Sequence, residues 1–422
     1  MISEYIEKFK LDSKTKKSIS TFLLKIYIVL SLFFPAYESK VGNCYYVERY
    51  YAHIALAVYL IYTFAIRHEW KPKKTGLCTA LLVLIGIYNI LSLYYNVRYL
   101  HWYGEQINNT ISFLFFTLLV STDCLEEHKR SDIIVFLIKC IILSSICAVV
   151  FYWMGYSRIE ILNRRFLLTT AEESLSTYGE KRFSWIYIHK SQCALMYVAF
   201  MLLFVKYRHK FKHRITYMMS MGLLLLVEYL THSWTGFMAV GCLVVGMAGE
   251  WIKENYKKLN VKSFLWIVPA FAAVAVVFNR QLRLFLAERN LATLGSRLPI
   301  WRTFISVIAQ NPKGIGLNFN NISYFTGYFD TNNAHNIFLN AMLRFSIPVG
   351  ICFTTIFCVI IIQCIRYSKN IMTIMTMIGL LFLLNIDYAL LNYEVSMFLF
   401  VLYLCFMHKE RRHVPEFGSI AD

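Results

Sequence analysis

About twelve apolar runs, each near the ~20 residues a helix needs to cross a hydrocarbon core, dictate what this chain can become. They begin near residues 18, 50, 75, 107, 132, 188, 215, 235, 263, 336, 371 and 391. With 58% hydrophobic and only 16% charged residues, so much apolar surface exceeds what one soluble core can bury, so the solvent is lipid. Backbone groups in lipid must be satisfied within the segment, so the runs read as helices, and the alternating strands of a membrane barrel are absent. The expected fold is an all-α polytopic membrane protein forming one integral domain over residues 1–422.

The formal charge of +18 would point to nucleic acid in a soluble chain; here its distribution sets topology and no nucleic-acid partner is expected. Basic clusters lie at Lys8 to Lys17, from Arg67, at Lys129 and Arg130, from Lys206, from Lys253, at Arg366 and Lys369, and from His408. Two spans separate each from the next, as the positive-inside rule requires if all face the cytoplasm. Both termini are then cytoplasmic in a multi-pass plasma-membrane protein. The loops near residues 38–49, 96–108, 156–187, 231–234, 279–335 and 386–392 face outward. The basic, amphipathic leader, residues 1–17, either lies on the anionic inner leaflet or is a solvated tail. The first span lacks a small-residue cleavage site and reads as a retained anchor. Of the 11 cysteines only Cys44 falls in an outer loop, so no disulfide framework is expected.

Cation type also sorts by side. The inner clusters are mainly Lys, whereas the outer positions are mainly Arg: Arg49, Arg98, Arg158, Arg164, Arg165, Arg182, Arg280, Arg283, Arg289, Arg297, Arg302 and Arg344. Only Arg offers a planar, always ionised fork that grips phosphate or carboxylate in two places. Singly, such residues are solvated or contact headgroups; as a set they point to an outer anion site.

The loops 156–187 and 279–335 are the two large outer elements, and the second is the longest interval lacking a membrane-length apolar run. Within it, QLRLFLAERNLATL and RLPIWRTFISVIAQ carry apolar residues at helical spacing and read as interfacial helices, with Pro299 in a first turn. NPKGIGLNFNN comes next as a turn-rich break. NFNNISYFTGYFDTNNAHN offers rings and amides suited to sugars, or is an ordinary polar loop. His335 and Asn336 close the stretch where a span begins, which fixes the imidazole yet leaves it reachable. Lys139 either snorkels or pairs within the bundle. Glu228, one turn below the outer surface, should face protein or a wet cavity and pair with an outer arginine; Asp387 and Glu394 lie at similar depth.

The chain resembles the Wzy-like O-antigen and capsular polysaccharide polymerases and the related O-antigen ligases. SRLPIWRTFISVIAQNPKGIGLNF fits the family's Arg, Trp, Gly-x-Gly order, NAHNIFLNAMLRFSIPVG fits its Ala-His-Asn start of a late span, and KRFSWIYIHKSQCALMYVAF fits more loosely. Trp234 in HSWTG stands where the family often has Arg, and IHKSQ keeps only the His, His189, of a His-Pro-Asn pattern.

The resemblance implies polymerisation of undecaprenyl-diphosphate-linked repeats by glycosyl transfer outside the plasma membrane or, as the alternative with the same site, ligation of finished glycan onto lipid A core, without cofactor, metal or nucleotide sugar. Its expected partners are membrane lipid, a chain-length regulator and a flippase. His335 and Arg297 become the candidate catalytic residues; Arg182, Arg302, Arg289, Asn336 and Glu228 become candidate substrate-binding residues. A transporter, the rival of another class, would show internal repeats and midplane broken helices, and neither is evident. A noncatalytic scaffold for polysaccharide assembly is the remaining alternative.

Overall fold

The computed structural model describes residues 13–41, 44–66, 75–99, 104–121, 127–156, 158–161, 164–167, 183–255, 296–316, 323–325, 330–331, 333–368, 370–387, 390 and 393–407. The first half comprises α1 (Ser13–Phe33), β1 (Tyr37–Val41), β2 (Cys44–Glu48), α2 (Tyr51–Ile61, extended by a π turn to Ile66), α3 (Thr75–Tyr99), α4 (Gly104–Ser121), α5 (Glu127–Trp153), β3 (Arg158–Ile161) and β4 (Arg164–Leu167). The second half comprises α6 (Lys190–Lys206), α7 (Arg214–Leu230), α8 (Trp234–Asn255), α9 (Arg297–Gln310), β5 (Tyr324–Phe325), β6 (Asp330–Thr331), α10 (Ile337–Phe345), α11 (Ile347–Ser368), α12 (Ile371–Ile386) and α13 (Val395–Leu402), the last running into a π turn, Tyr403–Met407.

Helices stand at eleven of the twelve expected positions, the run from residue 263 lying outside the described residues, as does the first of the two interfacial segments. Four described helices, α3, α5, α8 and α11, are long and apolar enough to cross a membrane, so the chain is membrane-embedded, while the expected count of twelve spans is not established by length alone. The run from residue 336 is not one span. It breaks at Ser346 (φ 135°) into short α10 and membrane-length α11. The fold is also not purely helical, because the loops after α1 and α5 each form a hairpin and join as one antiparallel sheet in the order β2-β1-β4-β3. Apolar periodicity cannot foresee such pairing between short, polar loop strands.

Contacts sort the loops between two ends of the bundle. At one end β1 pairs with β4, Arg49 bonds Glu394, Lys190 reaches the carbonyl of His232, Arg344 meets Glu105, and His335 meets Asp387. These residues come from all six loops expected to share a side, or from the helix ends beside them. At the other end Lys210 bonds Ser131, Tyr62 bonds the carbonyl of Lys16, and Glu250 caps the start of α12. Among the described residues, the loops expected on one side thus meet at one end and those expected on the other meet at the opposite end.

Two buried or half-buried ion pairs lock the first of these ends. Arg49 donates to Glu394, to the carbonyls of Phe34 and Ser31, and lies over the Tyr187 ring. Arg344, at the C-terminus of α10, pairs with Glu105 at the start of α4. Below them the core is aromatic, with Phe115 of α4 against Tyr27, Tyr59 and Phe400, and Phe113 against Phe353 and Phe357. Lys25 lies over Phe136 and Lys139 is exposed on the bundle surface, as snorkelling requires.

Helices α8 and α12 pack antiparallel through glycines. A Cβ on Gly246 would stand 2.8 Å from the Met372 Cα, and one on Gly379 would stand 2.9 Å from the Cys242 Cβ and 3.0 Å from the Ala239 Cα. With no hydrophobic force between helices in lipid, such close approach supplies the dispersion contact that holds them. It also sets the start of α8 beside the end of α12. Gly246→Ala should therefore cost about 1–3 kcal/mol by overpacking, read as a lower unfolding midpoint of the detergent-solubilised protein. An unchanged midpoint would contradict the close approach.

Candidate functional site

Four segments deliver side chains to one point. The end of α12 supplies Asp387, the segment before α10 supplies His335, the start of α9 supplies Arg297, and the start of α8 supplies Thr235. His335 Nδ1 lies 3.4 Å from Asp387 Oδ1, Arg297 Nη2 lies 4.0 Å from the same oxygen, and Thr235 Oγ1 lies 3.3 Å from Oδ2. The two residues expected to be catalytic are thus brought together by a third that the sequence marks only as one of three outer carboxylates.

The local sequence explains how His335 is held. Asn333 Oδ1 accepts from the His335 N–H at 3.0 Å, and Asn340 Oδ1 accepts from the Ala334 N–H at 2.8 Å. Asn336 is the N-cap of α10, its Oδ1 accepting from Phe338 N and Leu339 N. Its Nδ2 donates to the side chain and carbonyl of Asn385, two residues before Asp387. These asparagines fix His335 in a left-handed conformation (φ 48°) that costs of order 1 kcal/mol or more and persists only when overdetermined. The amide of Asn336, expected to bind substrate, is committed to this framework. The rings and amides of residues 317–322 and 326–329 lie outside the described residues.

Arg297 opens α9 after Ser296, also left-handed at φ 71°. The buried face of α9 carries Arg297, Ile300, Phe304, Val307 and Ile308 and packs with Leu343 and Ala334 in a small second core. Arg302 is five residues on, about 140° around the helix at 3.6 residues per turn, and is exposed away from Asp387. The turn after α9 then docks on the α10–α11 break. Ile315 N donates to Leu343 O, Ile347 N donates to Pro312 O, and Gly314 (φ 78°) brings its Cα so close that a Cβ would sit 2.8 Å from the Phe345 carbonyl carbon. Only glycine satisfies both the dihedral and the clearance, which gives the Gly-x-Gly motif a mechanical role: it ties Arg297's helix to His335's.

The other candidates fall elsewhere. Arg182 and Arg289 lie outside the described residues. Glu228 is 1% exposed and packs against Gly236; among the described residues its carboxylate has no hydrogen-bond partner and no ion pair, so the expected arginine pairing is not seen. Of the outer arginines whose side chains are described, Arg49 and Arg344 are taken up by Glu394 and Glu105, Arg302 faces outward, and Arg297 alone reaches Asp387. Charge counting along a sequence cannot tell an arginine that locks the fold from one that meets a ligand.

The electrostatics follow from geometry. Asp387 is the first residue after α12, and burial alone would push its carboxyl up. The His335 hydrogen bond and the positive fields of His189, Arg297 and His335 outweigh that, holding it well below the ordinary carboxylate range. His189 is the N-cap of α6, in a capping box with Gln192, and carries little signal as a sequence motif. The signal that points to Asp387 is a carboxylate at a helix end, too costly to bury without cations around it. With Nδ1–H donated to Asp387, the imidazole lone pair lies on Nε2, and at 18% exposure His335 is the most accessible side chain of the three.

Comparison with known families adds an independent likeness. Residues 219–354 match the O-antigen ligase family. The match covers about a third of the chain, from within α7 to within α11, and includes Thr235, Arg297 and His335 but stops short of Asp387. It supports the broad ligase and polymerase superfamily without separating the two. No curated protein matches the chain.

Because its value is depressed on folding, ionised Asp387 contributes stability that is full above the ordinary carboxylate range and lost as pH falls through the folded value. Asp387→Asn should cost about 3–5 kcal/mol at pH 7, where Arg297 is left buried without its counter-charge. The gap from the parent should narrow below about pH 4. Unfolding in detergent at the two pH values measures it, and a gap that stays constant counts against the ion cluster.

Proposed function

We propose that the chain is a membrane glycosyltransferase that polymerises glycan repeats carried on a polyprenyl diphosphate, working at the outer face of the bacterial plasma membrane with both termini inside. What carries the proposal is the convergence of Arg297 and His335 on Asp387, at the end of the bundle opposite the Lys-rich loops, in a chain whose residues 219–354 match the O-antigen ligase family. Lys16, Lys206, Lys210 and Lys253 lie at or near the other end, as the positive-inside rule demands if the site faces out.

In the reaction the acceptor sugar hydroxyl gives its proton to His335 Nε2 while its oxygen attacks the anomeric carbon of the lipid-linked donor. The bond between that carbon and the phosphate oxygen breaks, and the diphosphate lipid departs with the electron pair. Asp387 holds the Nδ1–H tautomer and stabilises the imidazolium that forms, the logic of an acid–base dyad. Arg297 presents a planar, always ionised fork, which neutralises charge growing on the diphosphate. Arg182 and Arg289 remain proposed diphosphate contacts, and Arg302, exposed on α9, suits lipid headgroups.

The second reading is ligation of finished glycan to a lipid acceptor, favoured by the description of the matching family. Both use the same chemistry and differ in acceptor. Deleting the gene separates them: long chains vanish if the protein polymerises, and lipid-linked long chains accumulate unattached if it ligates. His335→Ala should lower turnover of a lipid-linked repeat by about 10²–10⁴-fold. Arg297→Lys, which keeps charge and loses the fork, should lower it by about tenfold or more, on the order of one charge-assisted hydrogen bond. Properly inserted variants that still make full-length product would remove these residues from the chemistry.

A further inference from the structure

The turn between α7 and α8 contains a hydroxyl chain that plays no part in the glycosyl transfer itself. Gly236 N donates to Ser233 Oγ at 3.3 Å, Ser233 Oγ lies 3.2 Å from Thr235 Oγ1, and Thr235 Oγ1 donates to Asp387 Oδ2 at 3.3 Å. Each hydroxyl has a single proton. Since the carboxylate can only accept, the Thr235 proton is fixed on Asp387, so Ser233 must donate to Thr235. The chain therefore runs one way, from a backbone amide through two hydroxyls to the carboxylate. Ser233 and Thr235 are 0% and 6% exposed, which keeps bulk water from replacing either bond.

We infer that Thr235 is a positioning residue for the Asp387–His335 pair, and that Ser233 orients Thr235. The two carboxylate oxygens have separate duties: Oδ2 is tethered to the start of α8, so Oδ1 is held toward His335 Nδ1 and Arg297 Nη2. Without the tether the carboxylate rotates about its last bond, and the imidazole loses the partner that fixes its tautomer. Among the described residues, those shown to act on Asp387 include His335 before α10, Arg297 of α9, His189 at the start of α6 and Thr235 of α8, and of these Thr235 is uncharged at every pH. It therefore orients the carboxylate without adding charge. The inference rests on the acid–base role proposed for His335.

The test compares Thr235→Val, Thr235→Ser and Ser233→Ala in full-length protein, assayed with a lipid-linked repeat across pH. Thr235→Val keeps the shape and should lower kcat about tenfold with little change in donor KM. It should also move the acid limb of the pH–rate profile to lower pH, because the imidazolium loses part of its counter-charge. Thr235→Ser should restore both, and Ser233→Ala should fall between parent and Val. A Val variant with the parent profile, or a Ser variant as impaired as Val, overturns the inference. If His335→Ala itself stays active, the acid–base reading has failed. If His335→Ala is inactive while Thr235→Val matches the parent, only the positioning role has failed.

Discussion

A carboxylate removed from water at the edge of a membrane has to be surrounded by positive charge and hydrogen-bond donors, and Asp387 meets that demand by drawing four segments to one place. Arg297, His335 and Thr235 each touch one of its oxygens, and His189 adds its field from the start of α6. These residues span more than 190 positions of chain, and no local preference would bring them together. The charge on Asp387 organises this end of the molecule because leaving it uncompensated costs more than any of the loop conformations that compensate it.

Those conformations are costly in themselves. His335 and Ser296 sit in left-handed regions, and His232 does so in the turn that leads to Ser233. Bonds hold two of them from their surroundings: asparagine amides around His335, and for His232 its own N–H on the Tyr229 carbonyl with Lys190 donating to its carbonyl. Stiff supports on either side turn a weakly favourable charge cluster into a defined geometry. The glycine-mediated contact of α8 with α12 is the deepest of these supports, since it fixes Thr235 and Asp387 on facing helix ends.

Buried ion pairs elsewhere show the same physics used for a different end. Arg49 with Glu394, and Arg344 with Glu105, join the first loop to the last helix and α10 to α4. The Arg49 guanidinium is enclosed, at 3% exposure, whereas Arg344 and His335 are similarly open, at 20% and 18%. What separates them is convergence: each locking arginine meets its own carboxylate, whereas Arg297 and His335 share the one carboxylate of Asp387.

The order of residues alone was enough for the class of the molecule, the two-ended sorting of its loops, the helix at Arg297, the turn at Gly314 and the candidacy of His335 with Arg297. The first four follow from apolar run length, charge alternation and short-range backbone chemistry, and the last from the resemblance of the motifs that carry the two residues. Packing in three dimensions was needed to make Asp387 the meeting point, Thr235 its tether, and Arg49 and Arg344 locks. It likewise turned Arg302 away, set Glu228 beside Gly236, and joined two distant loops in one sheet. The reason is that each of these depends on which helices come close and on the phase at which they do so. That is set by glycine clearance and side-chain packing between segments far apart in the chain, which no local pattern encodes.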